Sequence, residues 1–209
     1  MQSKHTSENA IDLVLASASP RRRELLAQIG LRFRVVVADV DEAVKDGESP
    51  DDYVLRLARV KALEVLKREG GDAPVLGADT AVILDDEILC KPRDRSEAET
   101  MLGRLSARTH EVYSAVAVAT GPHRVLDRLN VTRVTFAPLE PEWIASYCDT
   151  GDPMDKAGAY GVQGRAAARI ERIEGSFSGV MGLPLFETSQ LLEAVKCYSR
   201  SVSVTAGRA

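Results

Sequence analysis

The sequence predicts a single α/β domain with a mixed β-sheet. Three observations carry that expectation. The chain opens on an alternation of strand, helix and strand in LVLASASPRRRELLAQIGLRFRVVVA. Two long segments of alternating polarity, THEVYSAVAVAT and HRVLDRLNVTRVTFAPL, flank Gly121-Pro122 and read as an antiparallel pair. No internal repeat, long linker or low-complexity block divides the 209 residues.

The elements follow from local signals. Leu13 to Ala16 is a short apolar run suited to a buried strand. Ser19 and Pro20 then serve as N-cap and first helical position, and Gly30 stops that helix. RFRVVVA, residues 32 to 38, reads as the second strand. After the polar connection DVDEAVKDGE, Ser49, Pro50 and the acidic pair Asp51 and Asp52 start a helix that runs to about Glu69. PVLGADTAVILDDEILCKP predicts a strand, a turn at Asp85-Asp86 and a short return strand ended by Pro92. Ser96 with Glu99 three residues on reads as a capping box for a helix to about Leu105. Beyond the antiparallel pair come a short helix from Pro141 to Cys148, the glycine-rich segment DKAGAYGVQGRAA, a strand around Arg169 to Ile173, and a final helix from about Pro184 to Val195. Residues 1–11 and 197–209 read as flexible extensions, leaving 12–196 as the domain.

Composition excludes several functions. With 44% hydrophobic, 28% charged and 5% aromatic residues the chain resembles an ordinary soluble globular protein, and no apolar run reaches membrane-span length. The first ten residues lack an apolar signal-peptide core, so a cytoplasmic location without a membrane partner is expected. A net charge of -4 argues against a broad nucleic-acid footprint while leaving room for a small anion held by a few cations. Cys90, Cys148 and Cys197 form no CxxC pair, which indicates neither a disulfide framework nor a zinc site. His5, His110 and His123 are scattered, and neither GxSxG nor HExxH is present.

Several charges fall where their elements do not favour them. Arg21, Arg22 and Arg23 occupy the first turn of a helix, the electropositive end, where acidic residues are favoured by roughly 0.3 to 1 kcal/mol each. They are either solvated at small cost or gathered around an anion. Lys61 interrupts the apolar stripe of Val54, Leu57, Ala58, Val65 and Leu66; it either snorkels to the surface or points into a cleft. Asp79 interrupts VLGADTAVIL, and a buried acid needs a partner or a metal unless Gly77 permits a bulge that frees it. Lys91 reads either as an edge-strand charge or as a cation of a site. Glu42, in a loop with Asp39 and Asp41, is unremarkable alone. As an inventory these residues suit phosphate hydrolysis. Cations and a helix N-terminus would hold phosphates, carboxylates would bind a hard divalent metal, and one of them would deprotonate a water.

The same residues carry a resemblance to the Maf-like nucleoside triphosphate pyrophosphatases. LASASPRRRELL matches that family's N-terminal SxSPRR signature; VDE, LARVKA, GADT, KPRD and DKAGAYGVQG follow in the family's order, and GSFSGVMGLP matches its C-terminal signature. The resemblance spans residues 13 to about 195. It implies a twisted mixed β-sheet flanked by helices, two lobes with a central cleft, and a homodimer. It also implies a nucleoside triphosphate substrate cut between the α and β phosphates with help from a divalent cation, Mg2+ or Mn2+. The matching positions are Ser17, Arg21, Arg22, Glu42, Lys61, Asp79, Thr80, Lys91 and Gln163.

Under that resemblance Asp79 is the general base, and Glu42 binds metal with Asp79 as a shared ligand. Arg22, Lys61 and Lys91 neutralise phosphate charge, Ser17 and Thr80 contact substrate, and Arg21 and Gln163 discriminate the base, while Arg23 faces solvent. The combination SPRR, GADT and GVQG is similar to the branch acting on dTTP, UTP or modified uridine triphosphates. A sister branch acting on 7-methyl-GTP carries Trp, Gln and Glu at the positions of Arg21, Thr80 and Gln163. A nucleotide-binding regulator of septum formation without turnover is the alternative from another class. Phe177 stands where the family often has Tyr.

Overall fold

The computed structural model describes residues 12–71 and 73–195. The expected extensions at residues 1–11 and 197–209, and Cys197 with them, lie outside the described residues. Seven strands are formed by β1 (Leu13–Ala16), β2 (Phe33–Val35), β3 (Val75–Leu84), β4 (Glu87–Leu89), β5 (Thr109–Gly121), β6 (Arg124–Phe136) and β7 (Ile170–Glu174). The helices are α1 (Pro20–Gln28), α2 (Pro50–Glu69), α3 (Arg95–Leu105), α4 (Pro141–Cys148), α5 (Phe177–Met181) and α6 (Leu185–Ala194). The strand order is β2-β1-β3-β5-β6-β7, with β4 pairing β3. β1 runs parallel to β2 and β3, and the remaining pairs are antiparallel, so the sheet is mixed as expected.

Local chemistry accounts for most boundaries and for the departures. Ser49 caps α2 through the Asp52 N–H, and Asp85 and Asp86 both adopt positive φ in the two-residue β3–β4 turn. α3 starts earlier than the Ser96–Glu99 capping box predicted. Asp94 already accepts from the Glu97 N–H at 2.9 Å, and Glu99 is engaged by Arg95 one turn away at 2.7 Å. β2 is shorter than residues 32–38, ending at Val35. α6 begins at Leu185 with Pro184 as its N-cap. The glycine-rich segment and the residues flanking it fold into three 3-10 turns at Asp152–Asp155, Ala157–Ala159 and Arg165–Arg169. α5 was not anticipated; Ser176 caps it through the Gly179 N–H at 3.0 Å.

β3 organises everything around it. Val75–Gly77 pair with β1 and Val82–Leu84 with β4, while the stretch between them, Ala78 to Ala81, has no strand partner on that edge among the described residues. On the opposite edge the ladder to β5 runs unbroken from Val75 to Ile83, which removes the reading of Asp79 as a bulged residue. Gly77 serves another purpose. A Cβ there would lie 2.2 Å from the Ala58 carbonyl oxygen and 2.8 Å from the Ala62 nitrogen, so α2 crosses β3 at a separation only glycine permits.

Along one face of β3, Leu76 and Ala78 join an apolar cluster with Leu25 and Leu26 of α1 and Leu191 and Leu192 of α6. Val82 and Leu84, further along the same face, join another with Leu102 and Leu105 of α3 and Tyr147 of α4. The two clusters are the cores of two lobes, and Thr80 falls between them.

The second lobe buries a titratable group. His110 on β5 is 2% exposed, stacks on Phe136 and pairs its Nε2 with the Tyr160 hydroxyl at 2.8 Å, while its Nδ1 has no partner among the described residues. Burial pushes the imidazole down to about 4. Between that value and the ordinary 6.5 the unfolded chain binds the proton and the folded one does not, so stability falls as pH drops through this window. At about 1.4 kcal/mol per unit the full loss comes to about 3 kcal/mol. Thermal midpoints measured from pH 7 to 4 should therefore fall less steeply for His110→Gln than for the parent protein, whatever the offset between them.

Candidate active site

A cavity of about 520 Å³ opens at the unpaired stretch of β3, a volume ordinary for a small-molecule site. Its walls bring together all nine matching residues: Ser17, Arg21, Arg22, Glu42, Lys61, Asp79, Thr80, Lys91 and Gln163. They come from six separate parts of the chain. The N-terminal turn of α1 forms one wall, so the positive end of the helix shares a space with Arg21 and Arg22. Arg23 is exposed and stands outside that space, as does Phe177, which is half exposed on α5.

The close approach of α2 sets the centre. Lys61 is 7% exposed, and its Nζ lies 2.7 Å from Asp79 Oδ1 and 2.6 Å from Glu42 Oε1. The snorkelling alternative is thereby excluded: the ammonium points inward. Asp79, also 7% exposed, is pushed up by burial, with the charges of Lys61 and Arg22 acting against that shift. Glu42 goes the other way. Partial burial alone would raise it, but the hydrogen bond and charge of Lys61, helped by Lys91 and Arg22, hold it below the ordinary carboxylate range. Two neighbouring carboxylates thus differ in proton affinity because one is buried and the other is half exposed.

The loop that carries Glu42 is exposed yet tethered. The Tyr53 hydroxyl donates to the Glu42 carbonyl at 3.1 Å, and Arg56 donates to the Ala43 carbonyl at 3.0 Å while gripping both oxygens of Glu48. These contacts tie residues 42 to 48 to α2, the helix that carries Lys61.

Arg22 is fixed by three acceptors, two of them from distant segments. Its Nε donates to the Gly182 carbonyl at 2.8 Å, and its two terminal nitrogens reach Ser17 Oγ and Thr80 Oγ1 at 3.4 Å each. Thr80 in turn pairs with Ser114 Oγ at 3.0 Å, and Ser114 donates to the Gly179 carbonyl at 2.6 Å. Burial lowers the affinity of the guanidinium for its proton, with Asp79 opposing, yet arginine remains charged. Arg21 stands at the rim, its Nη1 4.0 Å from Asp155. Lys91 and Gln163 are exposed residues of the lining.

Several contributors escaped the sequence reading. Tyr53 and Ser114 hold site residues, Tyr160 lines the cavity floor, and the Gly182 carbonyl anchors Arg22. Ser114 left a signal, a single serine within VYSAVAV, but only the Thr80↔Ser114 register turns it into a contact.

The donor set fits a divalent cation of a particular kind. No group of three or more His, Cys, Asp or Glu side chains suited to a metal occurs among the described residues. Glu42 and Asp79 share one ammonium partner and so lie close together. Two carboxylates, with further oxygens supplied by a bound phosphate, suit Mg2+ rather than a caged transition metal.

Fold and cavity together define an α/β protein whose cavity gathers Arg21, Arg22, Lys61 and Lys91 around two neighbouring carboxylates. The chain belongs to the Maf-like protein family, whose model matches residues 12–195. It is 53% identical to the dTTP/UTP pyrophosphatase of Methylobacillus flagellatus across 88% of this chain and 92% of that one. It is 54% identical to the dTTP/UTP pyrophosphatase of Symbiobacterium thermophilum across 86% and 92%, respectively. A solved nucleoside-triphosphatase, dITP/XTP pyrophosphatase from Mycobacterium abscessus stands further off, at 18% identity and a TM-score of 0.48 over 93% of this chain and 99% of that one.

Removing one member of a buried ion pair strands the other. Lys61→Met should cost about 3 kcal/mol in denaturant unfolding, whereas Lys61→Met/Asp79→Asn, which no longer strands the Asp79 carboxylate, should recover part of it.

Proposed function

We propose that this chain is a nucleoside triphosphate pyrophosphatase that hydrolyses dTTP and UTP, and modified uridine triphosphates of similar shape, to the monophosphate and pyrophosphate. One observation carries the reading: a buried carboxylate, Asp79, stands between a lysine and an arginine in a cavity open at a strand gap. Burial raises its proton affinity toward the range of an effective general base. The names of the relatives, dTTP/UTP pyrophosphatases at about half identity, support the same substrate.

In this reading a water near Asp79 gives its proton to the carboxylate as its oxygen attacks phosphorus, and the α–β anhydride bond breaks. Pyrophosphate leaves with the bonding electrons. Lys61, Arg22 and Lys91 meet the negative charge that grows on the leaving group, aided by the α1 N-terminus. Lys61 is already desolvated, so its attraction for that charge is stronger than in water. Glu42 and Asp79 would hold the divalent cation, Mg2+ or Mn2+, which when bound supplies Lewis-acid polarisation of the phosphoryl oxygens. Ser17 and Thr80 complete the phosphate contacts.

Arg21 and Gln163 face the base. The Gln163 amide offers both a donor and an acceptor, matching the mixed edge of uracil or thymine. Residues 12–196 act as one domain, on free nucleotides rather than on nucleic acid or at a membrane. No helix among the described residues is long and apolar enough to cross one. A cytoplasmic homodimer completes the proposal; the dimer is carried over from the family resemblance.

The test is pyrophosphate release from dTTP, UTP and 7-methyl-GTP with Mg2+ and with chelator. Release from the first two, abolished by chelator, is expected; preference for 7-methyl-GTP, or binding without turnover, would refute the assignment. Asp79→Asn should bind dTTP while losing on the order of 10²- to 10⁴-fold in kcat. Full retained turnover in a folded Asp79→Asn protein would remove Asp79 as base.

A further inference from the structure

Two of the three acceptors that hold Arg22 trace back to one buried hydroxyl. Ser114 of β5 is fully buried and lies outside the cavity lining, so it does not touch a substrate bound there. It sits opposite Thr80 in the β3–β5 ladder.

The first route runs through Thr80. A hydroxyl has a single proton to donate, and Ser114 gives its own to the Gly179 carbonyl at 2.6 Å, because a carbonyl can only accept. The 3.0 Å contact between Thr80 Oγ1 and Ser114 Oγ therefore takes its proton from Thr80. The other acceptor near that hydroxyl, the Gly182 carbonyl at 3.4 Å, is farther away and already receives Arg22 Nε at 2.8 Å. With its proton committed to Ser114, Thr80 turns lone pairs toward an Arg22 terminal nitrogen at 3.4 Å. Every donor in this relay points the same way, from Arg22 through Thr80 and Ser114 to the Gly179 carbonyl. The second route runs through α5. The Gly179 carbonyl also accepts from the Gly182 N–H at 2.9 Å, so Ser114 ties to β5 the same turn whose Gly182 carbonyl anchors Arg22 Nε. Without the Ser114 hydroxyl, the Thr80 proton would be free to compete with Arg22 for the Gly182 carbonyl, and that turn would lose its tie to the sheet.

We propose that Ser114 is a positioning residue for Arg22. From beneath the cavity it fixes the direction of the Thr80 proton and the place of the Gly182 carbonyl, so the guanidinium is aimed before substrate arrives. Thr80 then serves a phosphate through Arg22 rather than by donating to it. The proposal rests on the reading of Arg22 as a cation that meets the charge of the leaving pyrophosphate. A donor held in advance needs no reorganisation when that charge develops.

The test compares kcat and KM for dTTP, and inhibition by pyrophosphate and by dTMP, in the parent, Ser114→Ala, Arg22→Ala and Ser114→Ala/Arg22→Ala proteins. Ser114→Ala should lower kcat about fivefold, the equivalent of one hydrogen bond, with KM little changed. The inhibition constant of pyrophosphate should rise by a similar factor, while that of dTMP should not move. Arg22→Ala should lose more, and Ser114→Ala should have no further effect once Arg22 is alanine. Should Ser114→Ala fail to fold, Thr80→Val decides the matter: it breaks the relay one link nearer Arg22, and an unchanged kcat would overturn the proposal. If Ser114→Ala leaves kcat unchanged, lowers it as much in the Arg22→Ala protein as in the parent, or weakens both products equally, the positioning role falls while a large Arg22→Ala loss keeps the Arg22 assignment. If Arg22→Ala itself leaves kcat and pyrophosphate inhibition unchanged, the Arg22 assignment fails and takes this proposal with it.

Discussion

The absence of a side chain at Gly77 governs the site. With the Ala58 carbonyl and the Ala62 nitrogen sitting where a Cβ would be, α2 lies against β3 closely enough for Lys61 to reach Asp79 at 2.7 Å. The same helix holds the Glu42 loop through Tyr53 and Arg56. The Asp79 carboxylate, the Lys61 ammonium and the Glu42 carboxylate are therefore placed by one helix-on-strand contact. Their stability comes from the apolar residues around them, since a buried ion pair contributes little net free energy. What the pair contributes is position, and a difference in proton affinity between two carboxylates.

The sheet supplies the opening. A strand that changes partners halfway along its edge leaves backbone groups with no ladder, and here that interval coincides with Asp79 and Thr80. The apolar clusters of the two lobes meet the same face of β3 on either side of it. Cations enter from α1, α2 and the end of β4, and carboxylates from β3 and the loop after β2. No single segment contains enough charge to bind a triphosphate. The arrangement concentrates positive potential in one cavity while the chain as a whole stays net negative at -4.

Much of this was legible in the residues because the site breaks local rules. Arginines in a helix's first turn, a lysine in an apolar stripe and an aspartate in a buried strand are each unfavourable alone, and Arg21, Arg22, Lys61 and Asp79 all line the cavity. The signal failed where the answer depended on register or on backbone shape. Gly77 looked like licence for a bulge because glycine weakens strands, whereas its role is steric and belongs to a helix packed across it. Asp94 displaced Ser96 as the α3 cap because several polar residues competed within one turn. The DKAGAYGVQG segment has no period to read, and its 3-10 turns and polar underpinning by Tyr147 and Asp152 are tertiary facts.

The hydrogen bond from Arg22 to the Gly182 carbonyl joins residues 160 apart in sequence. During synthesis, α1 and its arginines leave the ribosome long before the segment that orients them. A nascent chain that has formed β1 and α1 can therefore expose a cationic helix end, but it lacks the acceptor that aims Arg22 into the cavity. Competence arrives only when the last fifth of the chain has docked, so truncated translation products would be poor consumers of the cell's nucleotide pool.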